Sequence, residues 1–385
     1  MTPALSTVGL RPLSRASSHP FLGRLREGTA STPVAGVPEI LLVREPQGAL
    51  PSGFRAYLLE EPVPDVSVPD AYVLPSGFLP LAEGDVVRVE PSSGRLSALY
   101  RRASLSNSLL VTERCDNYCL MCSQPPRKHD DSWLLDELLE LIPLISPETR
   151  ELGITGGEPA LLGEGLLRLV EQLKTHLPGT AVHMLSNGRR FSEEVFARGL
   201  GTLKHPDLMV GIPLYSDLPE AHDHVVQARG AYDETLRGIL NLKRAGIRVE
   251  LRVVIHALTH ERLPDLARFI ARNLLFVDHV ALMGLELMGF AKTNLPKLWV
   301  DPLDYQEPLR AAVRTLDRAG INTSIYNHPL CVLPADLHPF ARKSISDWKN
   351  VYFRECEGCA LKEACGGFFA SSTLKRSRGI AAARP

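Results

Sequence analysis

Apolar positions fall in two rhythms along the chain. From about Pro38 to Arg102 they come in short runs, "EILLV", "GFRAYLLE", "DAYVLP" and "DVVRVEPSSGRLSALY", broken by Pro and Gly in the manner of strands. The last run predicts a hairpin turning at Ser92-Ser93-Gly94. From Leu109 onward, short β-rich runs alternate with amphipathic segments of helical period. Strands are expected at Ser108–Glu113, Glu151–Thr155, Ala181–Ser186, Leu208–Leu214, Arg248–His256 and Val280–Met283. Helices are expected near Trp133–Ile142, Gly165–His176, Ser192–Leu200, Ala231–Ala245 and Glu261–Asn273. Such alternation predicts an α/β fold, either a partial barrel or an open sheet, and both put ligands at the carboxyl ends of the strands. Past Pro302 a further helix, about Asp304–Ala319, and a short strand, "NTSIYN", precede a Cys-containing region.

Composition narrows the functional classes. At 385 residues the chain can bury a large core without cysteine staples. A formal charge of -1 supplies no basic field for nucleic acid or an anionic membrane. No apolar run approaches the ~20 residues needed to span a bilayer, and no secretory signal opens the chain, so a cytoplasmic protein is expected. Residues 1–37, rich in Ser, Thr, Pro and Gly, read as a disordered extension, with an organellar transit peptide as the alternative. Residues 38–104 read as a small β module, either a cap or an edge for peptide strand addition. The basic residues 371–385 read as a disordered tail. His222, His224 and His256 fall near strand ends or loops and are given no role.

Chemistry enters with "VTERCDNYCLMCSQPP". Cys115, Cys119 and Cys122 form C-x3-C-x2-C directly after the first strand of the alternating region. Three is an odd number for disulfides, and core cysteines do not cluster in a polar, Pro-flanked loop. Metal binding remains. His129 could complete a zinc tetrahedron, or the three thiolates could hold a four-iron four-sulfur (4Fe–4S) cluster with one iron open. Four further cysteines, Cys331, Cys356, Cys359 and Cys365, make a second set, and no thiol is left over. That set suits a fully ligated cluster or a structural zinc.

The triplet resembles the signature of the radical S-adenosylmethionine (SAM) enzymes. The second strand is followed by "TGGEP", where Gly156, Gly157, Glu158 and Pro159 match the family segment that cradles the methionine end of SAM. Glycine lets backbone approach a ligand, and a carboxylate can accept from an ammonium. The third strand ends in Ser186, Asn187 and Gly188, which resemble the family's Thr-Asn-Gly. Two departures stand out: Met121 occupies the position where the family often carries an aromatic beside the adenine, and Pro213 stands where a serine is usual, with Ser216 nearby.

The resemblance implies a partial (β/α)6 TIM-like barrel, with a radical SAM core over residues 105–300 and an auxiliary-cluster domain of SPASM or twitch type over 301–370. It implies reductive cleavage of SAM to a 5′-deoxyadenosyl radical that abstracts hydrogen from the substrate, driven by an external one-electron reductant. Together with "GDVVRVEPSSGRLSALYRRASLSNSLLV", the cysteines resemble the His-Xaa-Ser system radical SAM maturases. That family implies a precursor peptide with His-Xaa-Ser repeats, a partner radical SAM protein and a second 4Fe–4S cluster. An iron–sulfur electron carrier would have no use for "TGGEP" and "SNG" in strand order, whereas a zinc-stapled binding protein would explain the cysteines alone.

Overall fold

One short segment near the start of the chain holds both ends of a sheet. The computed structural model describes residues 5–28, 32–45, 48–64, 66–75, 78, 81–344 and 350–384. In it β1 (Ser6–Val8) and β2 (Arg11–Pro12) are joined through Gly9, whose φ of +117° suits glycine. The sheet continues with β3 (Phe21–Glu27), β4 (Glu39–Val43), β5 (Ala56–Leu59), β6 (Ala71–Val73), β7 (Val86–Glu90) and β8 (Arg95–Tyr100), ordered β1-β8-β7-β3-β4-β5-β6-β2. Its two outer strands are successive pieces of one segment, three and two residues long, so neither edge is long.

The run "EILLV" is apolar throughout because both faces of β4 are covered: Ile40 and Leu42 join one core cluster with Leu25, Leu58 and Val87, while Leu41 and Val43 join another with Tyr57 and Leu59. Beyond residues 1–4 and 29–31, which lie outside the described residues, the stretch 1–37 is not a free extension. Phe21 and Leu25 are buried, and Arg24 pairs with the buried Glu39 at 2.8 Å. The expected hairpin joins β7 to β8, with Gly94 at a positive φ of 60°.

The chain divides into two units. The first comprises Met1–Leu109 with Leu135–Glu151 and Gln172–Thr180; the second comprises Leu110–Leu134, Leu152–Glu171 and Ala181–Pro385. The second sheet contains β9 (Asn107–Leu110), β10 (Glu151–Thr155), β11 (Ala181–Leu185), β12 (Leu208–Pro213), β13 (Arg248–Ile255), β14 (His279–Gly284), β15 (Thr323–Tyr326) and β16 (Ala341–Arg342), neighbours in chain order. Its pairs from β11 to β16 are parallel. The helices are α1 (Trp133–Leu141), α2 (Glu164–His176), α3 (Glu194–Thr202), α4 (Pro219–Val226), α5 (Ala231–Arg244), α6 (Leu263–Asn273), α7 (Gly289–Thr293), α8 (Leu295–Leu298) and α9 (Gln306–Arg318). This is the α/β, curled parallel sheet expected of a partial barrel, extended by two strands past the sixth.

Two expectations change. Helix α4, unanticipated, is short and starts at a proline that can occupy a first helical turn. The stretch 371–384 is tied down: the buried Asp301 accepts from Ser377 Oγ at 2.5 Å and from the Arg378 amide at 2.9 Å. Its basic composition looked like a solvated tail, but its charges find acidic partners; Pro385 lies outside the described residues. Among the described residues no helix is long and apolar enough to cross a membrane.

Candidate active site

The first strand stops at Leu110, short of the expected Glu113, because the following residues turn toward a buried carboxylate. Asp131, 1% exposed, accepts from Thr112 Oγ1 at 2.8 Å, the Glu113 amide at 2.5 Å and Arg114 Nε at 2.9 Å. Burial works to raise the Asp131 carboxyl, but these donors hold it below its ordinary range. The chain then enters the loop carrying Cys115, Cys119 and Cys122.

That loop is fixed by backbone bonds to distant segments. The Tyr118 and Leu120 amides donate to the carbonyls of Val226 and Val225 at the end of α4, at 3.0 and 2.9 Å. The Phe290 amide donates to the Cys122 carbonyl at 2.8 Å, and Asn294 Nδ2 to the Leu120 carbonyl at 2.9 Å. Gly289 permits this approach, since a Cβ there would meet the Cys122 oxygen at 2.5 Å. Met121 is buried with Tyr215, Val225, Val226, Ala291 and Leu298, so its thioether is a packing element here.

The glycines of "TGGEP" face protein backbone. The Gly157 amide donates to the Thr112 carbonyl and the Glu158 amide to the Arg114 carbonyl, both at 2.8 Å. A Cβ on Gly156 would lie 2.2 Å from the Thr112 oxygen, and one on Gly157 would lie 2.1 Å from the Arg114 oxygen. These glycines therefore let the turn after β10 lie against the segment that leads into the cysteine loop. Pro159 opens the following turn, Pro159–Leu162.

Glu158 carries the linkage to the third strand. Its carboxylate, 1% exposed, accepts from the Ala160 amide at 2.9 Å, Ser186 Oγ at 2.7 Å and the Asn187 amide at 2.5 Å. Burial pushes the carboxyl up to about 7, against the pull of those donors. The sequence reading gave this carboxylate to a ligand ammonium; in the structure it staples two strand ends together. Asn187 Nδ2 reaches Asp116 Oδ1 at 2.6 Å, closing the ring from the third strand back to the cysteine loop. Arg189 braces the same loop through Asn117 Oδ1 at 2.8 Å and Asp116 Oδ2 at 3.1 Å, and meets Glu234 of α5 at 2.6 Å. Ser216 is buried, and its hydroxyl accepts from the Leu218 amide at 3.1 Å just before α4.

Of the three thiols, Cys115 is near enough to Arg189 to act on it electrostatically. Burial pushes Cys115 up to about 12, with Glu158, Asp116 and Cys122 adding to the rise against one bond from the Asn117 amide. Cys119 is also pushed up by burial, then by Cys122 and Cys115, and Cys122 rises chiefly through burial. Three thiols held up by burial fit a metal centre that would supply positive charge and take them as thiolates. Among the described residues no three His, Cys, Asp or Glu side chains converge tightly enough for one metal ion. A cubane cluster, by contrast, spreads its ligands over separate iron corners. His129 is no fourth ligand: its Nε2 lies 3.0 Å from Glu113 Oε2. His222 and His256 are buried, and burial lowers each to about 4.

The second cysteine set has a different construction. Cys331, Cys356, Cys359 and Cys365 are free thiols, and Cys365 and Cys356 both act electrostatically on Cys331. The Leu330 and Gly367 amides each donate to Cys365 Sγ at 3.4 Å. The four cysteines match in type and number the ligands of a cluster, whose irons take one thiolate each, while among the described residues no three of them converge tightly enough for one metal ion.

Asp116, Asn117, Asp131, Arg189 and Gly289 were missed by sequence reading. Asp116 and Asn117 stood beside Cys115 and could have been noticed; Asp131 and Gly289 carry no local signal, since their role depends on pairing with distant backbone.

Residues 109–270 match the family model of the radical SAM superfamily. No curated protein matches the chain. Among solved structures, Streptococcus suis SuiB bound to S-adenosylmethionine is 14% identical, with a TM-score of 0.46 over 58% of this chain and 51% of that one. The anSMEcpe structure with bound AdoMet and Cp18Cys peptide is 18% identical, with a TM-score of 0.44 over 57% and 63%. Methylornithine synthase (PylB) is 17% identical, with a TM-score of 0.38 over 58% and 72%. The chain thus spans about half the length of SuiB. The match to the radical SAM superfamily, whose enzymes use a 4Fe–4S cluster and SAM, thus extends over residues 109–270, somewhat under half of the chain.

Proposed function

We propose that this chain is a radical SAM maturase acting on a ribosomally made peptide of the His-Xaa-Ser repeat type. In this reading Cys115, Cys119 and Cys122 hold the SAM-binding cluster. The observation that carries it is the contact among three strand ends: the cysteine loop, the Gly156–Pro159 turn and Ser186–Asn187 are joined by Glu158 and Asp116. The cluster and SAM supply, when bound, a reductively generated radical that can take hydrogen from an unactivated carbon.

The chain's own residues have three tasks. The half-buried thiols offer ligands, and a partly screened site helps to protect reactive chemistry. The turn Gly156–Pro159, packed on the Thr112–Arg114 backbone, is assigned with Asn187 and Ser216 to the region for SAM. Asp131, Glu158 and Arg189 act as positioning residues that keep the loop and strand ends in register. Cys331, Cys356, Cys359 and Cys365 are assigned to an auxiliary 4Fe–4S cluster. A partner radical SAM protein and an external one-electron reductant complete the system. The precursor-peptide assignment rests on the sequence resemblance.

Anaerobic purification with iron and sulfide analysis, followed by reduction in the presence of SAM, tests the chemistry. Release of 5′-deoxyadenosine is expected; an intact cluster that releases none overturns catalysis. Mass spectrometry of a His-Xaa-Ser peptide coexpressed with the chain and its partner tests the substrate. A mass shift that needs Cys119 is expected, and an unchanged peptide overturns the assignment.

A further inference from the structure

One of the four sulfurs in the second set finds a donor on a stretch remote from its own loop. Cys359 Sγ accepts from the Ala383 amide at 3.3 Å, and the Ala360 amide donates to the Ala383 carbonyl at 3.0 Å. Residue 383 thus pairs with the Cys356–Cys359 turn on both sides of its peptide unit. The donor is an alanine, so what it brings is main-chain N–H.

The stretch is clamped upstream. Asp301, 8% exposed, takes Ser377 Oγ and the Arg378 amide, and the Arg378 guanidinium pairs with Asp304. A Cβ on Gly379 would meet the Leu303 side chain at 2.7 Å, so the chain passes close to the start of α9's lead-in turn. This spends a buried carboxylate and several hydrogen bonds on a segment whose composition alone would leave it loose.

Amides directed at sulfur stabilise thiolate charge, and such outer donors tune the metal they surround. We infer that residues 377–383 form one wall of the second cysteine site, donating the Ala383 amide to Cys359 and so holding that site's metal in place. The inference rests on reading the second set as a metal site; it does not depend on SAM cleavage.

Substitution at Ala383 separates donor from side chain. Proline removes the N–H, whereas serine keeps it. The full chain carrying Cys115→Ala, Cys119→Ala and Cys122→Ala isolates the second site, and the rate of metal loss to a chelator, iron or zinc alike, is read by metal analysis. Ala383→Pro is expected to lose metal about tenfold faster, and Ala383→Ser at the parent rate. Asp301→Asn, which weakens the clamp, is expected to speed loss less. Should the triple background fail to fold, the slower-exchanging metal fraction is followed in the otherwise native chain. Equal rates for the proline and serine variants overturn the inference alone. A second set that binds no metal overturns both it and the metal-site reading, while the test of SAM cleavage stands apart from either result.

Discussion

The two cysteine sets are held by opposite means. The loop of Cys115 to Cys122 is bonded to residues far along the chain; the Asn294–Leu120 bond alone spans 174 positions. Cys356, Cys359 and Cys365 sit in turns closed by near neighbours: the Cys356 amide donates to Phe353, that of Cys359 to Cys356, and that of Cys365 to Leu361. The difference assigns stability to different sources. The first loop inherits its shape from a folded barrel, as a preorganised site must. The second rests on local turns, residues 377–383, the Leu330 amide and the Val351–Phe368 bridge, a smaller scaffold in which metal binding and local order are expected to be coupled.

The comparison breaks most sharply at the ligands. Cys119→Ser is expected to abolish both first-site iron and 5′-deoxyadenosine formation while the second site keeps its metal; loss of both metals together would mean that the sites are not independent. Stripping all metal with a chelator should next expose the weaker region. Limited proteolysis is expected to cut at basic residues from Arg354 to Lys375 well before any within 114–128, a pattern read by peptide mass mapping.

A smaller effect belongs to the backbone supports. Gly157→Ala puts a Cβ 2.1 Å from the Arg114 carbonyl, and overpacking of this kind costs about 1–3 kcal/mol. First-site iron should fall and the melting midpoint drop, with second-site metal unchanged. The smallest effect is one of pH. Because burial raises the Glu158 carboxyl to about 7, the folded state keeps a proton that the unfolded chain has already lost. This group's contribution is therefore fully present below the unfolded value of 4.5, declines as pH rises toward 7, and is flat above it. The difference in thermal midpoint between the native chain and Glu158→Gln should change across that window and be constant at higher pH. A constant difference throughout would remove the raised carboxyl from the account.

Much of this was legible in residue order. Strand β10 was expected at its observed bounds, and the termini of β11 to β14 within one or two residues, because continuous apolar runs flanked by polar turns are unambiguous in a parallel sheet. The two-residue β16 carries no period at all, and the first 37 residues hid β1 to β3 because their Ser- and Pro-rich composition masks the isolated apolar anchors Phe21 and Leu25. At the candidate site the motif letters were visible, but not their use. Gly156 and Gly157 look like a ligand cradle in one dimension, yet in three they admit the Thr112–Arg114 backbone. Glu158 looks like a lone acceptor and is already engaged by three donors. Residues that act through partners a hundred positions away leave no local trace.

The first sheet has a consequence for synthesis. Ser6 pairs with Ser97 in register, and their hydroxyls bond at 2.9 Å across 91 positions. Strand β1 must therefore wait, without this partner, until β8 has been made.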